Sequence, residues 1–328
     1  MGKKDIHVSH YFSHNPFFAD MANGYFFGGQ QVVSPDDLQE ADKELLTVTM
    51  VHAKRVTRDN VKKYYTDTLI YIYVLEHQDT VDYHMVLRNM LSESMEYQRQ
   101  WEENKKSHLK EKTLKSNAEF LSGMKKSDRF VPVISMVVYY GDEKWDGARC
   151  LHGLLNLENV PLPLRKYIEN YHIHVFDYHD YEDFGMFHTE LKQVFQFLKC
   201  SRDKAQLTKM LAEHQAEYYN VSREACELLA AITHSKELLK LENYENEENG
   251  GINMCKALED IRTEGEWTKL ISMVQKKLDK GFSAAETADM LEESESKIEE
   301  LMDLIKENPG KTSQELSELY LQSPAAVL

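Results

Sequence analysis

"LIYIYVLEHQD", residues 69–79, is an apolar run of strand composition that ends on a carboxylate and an amide, Glu76 and Gln78. Successive strand side chains alternate between two faces, so Glu76 and Gln78 share one face and His77 points to the other. A partner strand is predicted near residues 58–64, with Thr66-Asp67-Thr68 as the turn region. A tight hairpin turning at Asp67-Thr68 sets Asp59 directly opposite Glu76. Cross-strand neighbours on one face lie about 5 Å apart. Two carboxylates at that spacing can share a hard divalent cation, Mg²⁺ first and Mn²⁺ or Ca²⁺ as alternatives. Such ions take oxygen ligands and keep several waters. A cation held this way activates water and stabilises charge on a phosphodiester. The bland alternative is a solvated strand terminus, since a Glu-x-Gln triplet alone specifies nothing.

Further along, Met85 to about Lys106 is predicted helical, with Met85, Met90, Leu91, Met95 and Trp101 as apolar contacts. "KKSHLKEKTLKSNAEFLSGMKKSDR" (105–129) reads as a basic excursion of the loop type. "FVPVISMVVYYG" (130–141) is continuous, apolar and β-branched, the pattern of a strand buried on both faces. "YHIHVFDY" (171–178) adds a strand, and Phe184, Phe187, Leu191, Val194, Phe195 and Leu198 mark an amphipathic helix. Near the start, Asn15 as N-cap and Pro16 at the first helical position signal a helix, with Phe17, Phe18, Met21 and Tyr25 at helical spacing. This order predicts a mixed α/β domain over residues 1–205, a sheet flanked by helices. Residues 206–250 form a helical extension closed by the acidic linker "LENYENEENGG", and residues 251–328 an all-helical tail. Within that tail "GFSAAETADMLEESESKIEELMDLI" (281–305) suggests two short helices joined by a turn, like a helix-turn-helix.

The 328 residues carry 39 Lys+Arg against 55 Asp+Glu, a formal charge of −16. That balance argues against a passive nucleic-acid coat but leaves room for a DNA enzyme with a local positive groove. Two basic clusters offer one. Lys54, Arg55, Arg58, Lys62 and Lys63 surround Asp59, and Lys105 and Lys106 open a basic run that extends to Arg129. Arg88 lies on the helix after the candidate site and can contact DNA or pair with a nearby carboxylate. The second tail helix presents Glu292, Glu293, Glu295, Glu299 and Glu300, which suits a protein contact or homo-oligomer better than a DNA groove. Four scattered cysteines without CxxC fit reduced thiols, and no GxxxxGK, GxGxxG, HExxH or GxSxG signature occurs. The N-terminus lacks a signal-peptide core, and no apolar run approaches the ~20 residues of a membrane span. The expectation is a soluble, cytoplasmic protein without a membrane partner.

Several segments resemble one family in the same order: "RDN" (58–60), "VLEHQD" (74–79), "MVLRNMLSESMEYQRQWEENKKSH" (85–108), "EFLSGMKKSDRFVPVISMVVYYGDEKWDGARCLHGLL" (119–155) and "FHTELKQVFQFLKCSRDK" (187–204). This is the Rpn family of recombination-promoting nucleases and transposases, a branch of the PD-(D/E)XK nuclease superfamily; the likeness spans roughly residues 10–265. It implies a restriction-endonuclease-like mixed sheet, a metal-dependent DNA endonuclease, Asp59 and Glu76 as metal ligands, and Gln78 in the place of the superfamily lysine. A lysine offers positive charge to the attacking water or the transition state, whereas an amide can only orient water. Two rivals follow: a catalytically weak or inactive DNA-binding or regulatory protein on the same fold, and an interaction module acting through the tail.

Overall fold

The computed structural model describes residues 3–48, 53–65, 70–235, 238, 244–245 and 250–321. Two helices open the chain, α1 (Lys3–Tyr11) and α2 (Asn15–Phe27). Five strands follow: β1 (Leu38–Glu40), β2 (Glu44–Val48), β3 (Ala53–Thr57), β4 (Asn60–Tyr65) and β5 (Ile70–Gln78). Then come α3 (Met85–Glu111), α4 (Asn117–Ser122), β6 (Val133–Tyr139), α5 (Leu162–Arg165), β7 (His174–Asp177) and α6 (Leu191–Cys200). The remaining helices are α7 (Lys204–Glu213), α8 (Gln215–Tyr218), α9 (Arg223–Thr233), α10 (Met254–Leu278), α11 (Ala284–Leu291), α12 (Glu295–Glu307) and α13 (Ser313–Leu321). The chain divides into two compact units, Met1–His214 with Ser222–Leu239, and Gln215–Val221 with Lys240–Leu328.

The first unit is the expected mixed α/β layer structure. Its sheet has the order β1-β4-β5-β6-β7, with β2 and β3 paired separately. β4 runs antiparallel to β5, while β5, β6 and β7 are mutually parallel. One face is sealed by Met85 and Val86 of α3 packing on Val137, Tyr139, Trp145, Ile173 and Val175. The opposite face is aromatic, with Phe176 against Phe187 and Phe195 at ring separations of 5.7 and 4.6 Å. The Tyr-Gly-x-x-x-Trp segment turns sharply after β6. A Cβ at Gly141 would lie 2.0 Å from the Tyr139 hydroxyl, so only glycine fits there. The Trp145 amide then donates to buried Asp177 at 2.7 Å, tying the turn to β7.

Two local expectations are corrected. Asn15 is not the cap of its helix: His14 holds that position, and the Asn15 amide donates to the carbonyls of Pro35 and Leu38. The basic excursion is not a loop at its start, because α3 continues to Glu111 and ends on Lys112 in the left-handed region. The lysines, Leu109 and Glu111 of that stretch all favour helix, and nothing in it breaks the helix before Lys112. α4 follows with a capping box in which Ser116 and Glu119 satisfy each other's backbone amides.

In the second unit α11 and α12 are the two expected short helices, joined through Glu292 at positive φ. Leu270, Ile271 and Val274 of α10 pack with Ile298, Leu301 and Met302 of α12 and with Leu316 and Tyr320 of α13. The tail's apolar stripe is therefore spent on its own core. Glu292, Glu295, Glu299 and Glu300 remain exposed.

Asp20 generates a test of how the first unit is held together. It lies buried in α2, and its carboxylate accepts from the amides of His188 and Thr189 and from the Thr189 hydroxyl, at 2.7–3.0 Å. Asp20→Ala orphans two part-buried amides and leaves the Thr189 hydroxyl without this acceptor, at about 1–3 kcal/mol for each group kept from water. The variant should lose about 2–4 kcal/mol in urea unfolding, with the m-value unchanged. A loss under about 0.5 kcal/mol, the scale of an ordinary surface substitution, would show that this junction contributes nothing.

Candidate active site

The antiparallel ladder of β4 and β5 pairs Asn60 with Leu75 and Val61 with Val74. One further step sets Asp59 opposite Glu76, the register that the tight hairpin required. The turn at Asp67-Thr68 lies outside the described residues, as do the side chains of Lys54 and Arg55. Asp59 accepts the backbone amide of His77 through Oδ2 at 2.8 Å, which locks its carboxylate to the end of β5. Glu76 is 3 % exposed, and its Oε2 accepts from Nη2 of Arg88 at 3.1 Å. Burial first, and the Asp59 charge second, push the Glu76 carboxyl up to about 8, against the opposing pull of Arg88 and Arg58. Gln78 closes β5 on the same face, half-buried and in register with Tyr139 of β6.

Arg58 and Lys62, expected to face DNA, are instead internal. The Arg58 side chain is 1 % exposed, with Nη2 bonded to the Asp42 carbonyl and 3.3 Å from Glu96. Lys62 is equally enclosed, and its ammonium spends its donors on the Ser13 carbonyl, Asn15 Oδ1 and Glu40 Oε1. Both charges hold the fold, because a buried ion that leaves its partners would strand them. Lys63 is half-buried and lines a small cavity with Asp42, Arg58, Glu96 and Arg99. Lys105 is half-buried with its ammonium 4.8 Å from the centroid of the Trp101 ring, and Lys106 is exposed. They stand 17 residues beyond Arg88 on α3, about 25 Å along the axis at 1.5 Å per residue. Asp59, Glu76, Gln78 and Arg88 are thus brought together; Lys105 and Lys106 belong to a separate region.

A second polar group behind the site was not anticipated. His77 bonds Asn60 Oδ1 through Nε2 and the Tyr140 hydroxyl through Nδ1, both at 2.7 Å, and stacks on Phe12. Asn60 Nδ2 donates to the Ser9 carbonyl, which orients its oxygen toward the ring. Nε2 therefore carries the proton and Nδ1 accepts from Tyr140. Burial drives His77 down to about 3, so the ring stays neutral and serves as a strut. Strand alternation had pointed His77 this way; its partners, 17 and 63 residues distant, left no local signal.

The donor set selects a type of metal. Among the described residues no three or more His, Cys, Asp or Glu side chains gather, so a closed zinc-type shell does not fit. Two opposed carboxylates do fit Mg²⁺, which completes its shell with water.

The fold is a mixed α/β sheet at whose open end two carboxylates, Asp59 and Glu76, meet an arginine delivered from the covering helix. The family model described as "Putative transposase, YhgA-like" matches residues 60–228, just over half of the chain, and the protein belongs to that family. Glu76, Gln78 and Arg88 lie inside the matched segment, and Asp59 immediately precedes it. No curated protein and no solved structure matches the chain.

The Glu76 shift has a sign that can be tested. Its folded value of about 8 stands above the ordinary 4.5, so between those limits the folded state keeps a proton that the unfolded chain releases. Stability of the metal-free protein must then fall as pH rises through that window. Glu76→Gln removes the titration, so the variant should gain on the parent by up to about 1.4 kcal/mol per pH unit inside the window, and no more above it. Parallel stability curves in EDTA would contradict the assignment.

Proposed function

We propose that this protein is a metal-dependent DNA endonuclease that hydrolyses phosphodiester bonds in the service of recombination or mobile elements. The observation that carries the proposal is the meeting of two carboxylates at the end of β5: Asp59, one step beyond the Asn60–Leu75 pair and bonded to the His77 amide, and buried Glu76, whose charge it opposes. Asp59 and Glu76 would hold a divalent metal, Mg²⁺ or else Mn²⁺ or Ca²⁺, which supplies an activated water and neutralises charge on the phosphodiester. Asp59 is fixed by the His77 amide, so its carboxylate is orientated before the ion arrives. Gln78 shares the face of Glu76, where its amide can orient water. Arg88, 36 % exposed and 3.1 Å from Glu76, brings to this face the positive charge that Gln78 lacks. Metal binding must displace the Glu76 proton, so affinity rises with pH.

A second reading, a catalytically silent DNA-binding protein on the same fold, is favoured by the amide at position 78. The acidic surface of α12 supports a protein contact for the tail, with a second copy of the chain as one partner. Among the described residues no helix is long and apolar enough to cross a membrane.

Nicking of supercoiled plasmid separates these readings. The parent should nick with Mg²⁺ or Mn²⁺ and stop in EDTA. Asp59→Ala and Glu76→Ala should each lose about 100-fold or more, the scale for deleting one essential electrostatic contact, with circular dichroism unchanged. Gln78→Lys should be tolerated or more active. Undiminished nicking by either alanine variant removes that residue from the site, and a parent that binds DNA without ever nicking it supports the silent protein.

A further inference from the structure

We propose that α4 and its flanks form a DNA wedge, in which Phe120 and Leu121 enter a base step of duplex DNA while surrounding lysines hold the phosphates. The inference rests on the reading that DNA is the substrate, and it adds a second point of contact and a deformation.

Leu121 is 90 % exposed and Phe120 beside it 60 % exposed. A single exposed apolar residue is ordinary, but two adjacent large ones on a helical tip forgo about 1.5–3 kcal/mol each that burial would return. What separates this pair from incidental exposure is the effort spent on holding it outward. An isolated six-residue helix does not persist in water. Here both ends are fixed: the Ser116–Glu119 capping box closes the start, and Gly123 at positive φ returns its amide to the Glu119 carbonyl at 2.8 Å. The Trp101 indole donates to the Ser122 carbonyl at 2.9 Å, bolting the element to α3. The Lys105 stem packs so closely that a Cβ at Gly123 would fall 2.8 Å from it. Beyond the helix, Asp128 accepts from the Lys125 amide and pairs with His108 of α3 at 2.8 Å.

Charge identifies the partner. Residues 105–129 hold eight Lys and Arg against three Asp and Glu, in a chain whose formal charge is −16. Two of those three acids are already engaged, Glu119 in the capping box and Asp128 with His108. The result is an apolar tip inside a positive collar on an otherwise acidic molecule. An anionic bilayer fits less well, since membrane-surface helices offer a long continuous apolar face and α4 has six residues. Apolar wedges flanked by cations are the means by which proteins unstack and kink a duplex, spending a few kcal/mol on the step. Lys105 lies about 25 Å along α3 from Arg88, the length of some seven base-pair rises. Flexible pyrimidine–purine steps would be the preferred point of insertion.

The test uses the full chain, a short duplex carrying end-labels for energy transfer and 2-aminopurine at a TA step, and a salt titration with and without Ca²⁺. The parent should bind, bend the duplex and brighten the 2-aminopurine. Phe120→Ala with Leu121→Ala should bind about tenfold more weakly, the scale of a lost base contact, and lose the bend. Its salt slope should match the parent's, because no phosphate contact is removed. Lys106→Glu with Lys110→Glu should flatten that slope. Phe120→Trp should retain bending and be quenched by DNA. If the double alanine variant binds and bends like the parent while the parent still nicks plasmid, the wedge is wrong and the nuclease stands. If the parent binds no DNA in either condition, both fall. If the substitutions abolish binding to phosphatidylserine vesicles, or self-association, and leave DNA binding unchanged, the surface belongs to a membrane or protein partner and the proposal is overturned.

Discussion

Glu76 is an acid buried on the middle strand of a sheet, and the architecture around it is the answer to that problem. A carboxylate so placed stays stable only with compensating charge or with its proton. The protein uses both. Arg88 reaches it from α3, the Arg58 charge contributes at longer range, and the residual penalty raises its affinity for a proton. Arg58 in turn pairs with Glu96, whose other oxygen takes Arg99 at 2.5 Å. Charges therefore alternate beneath α3 from Arg88 through Glu76, Arg58 and Glu96 to Arg99. Two of the polar residues that α3 buries belong to this ladder, Glu96 and Gln100, whose amide donates to Glu96 at 3.3 Å. Apolar residues of like volume would commonly be as stable or more so. Keeping the polar ladder costs stability, and the expense converges on the carboxylate pair.

The opposite face supports the same point by different means. α1 approaches through Ser9, whose carbonyl accepts from Asn60 and whose hydroxyl donates to the Asp59 carbonyl at 3.3 Å. His77 links Asn60 to Tyr140, and Phe12 of the α1–α2 turn stacks on its ring at 5.0 Å. The backbone of Asp59 is thus held from behind while its carboxylate is held in front by the His77 amide. Loss of one clamp leaves the other, which is how a short segment beyond the end of a strand can keep a fixed orientation.

Local features of the site were legible in the sequence because they follow from period and register. Alternation along residues 69–79 separates Glu76 and Gln78 from His77, and the register expected of a hairpin centred between Asp67 and Thr68 is the one in which β4 pairs with β5. What could not be read was depth. Arg58 and Lys62 look like surface cations until their partners appear, and those partners, Glu96 and Glu40, lie 38 residues downstream and 22 upstream. A basic composition also disguised structure: residues 105–111 are helical because their individual propensities are, and the Ser-x-x-Glu at 116–119 is a capping signal that announces α4. The tail was legible as helices but not as a core, because which apolar stripe meets which is a tertiary fact.

The absent lysine at position 78 takes on a different meaning once the helix is in place. A lysine there would put a mobile ammonium beside Glu76, competing with a cation for the same oxygens. Arg88 instead arrives from a separate element and touches only Oε2, with Asp82 3.8 Å behind it. Its planar fork suits two oxygens at once. At 36 % exposure it also retains access to solvent, which Arg58 at 1 % does not. On the proposed reading the two arginines therefore divide the labour. Arg58 is the enclosed counterweight that helps make a buried Glu76 tolerable, and Arg88 is a solvent-accessible cation that could exchange a carboxylate oxygen for a phosphate oxygen. On that reading the positive charge of the site comes not from β5 but from a helix laid across it, with Arg88 in register with Glu76.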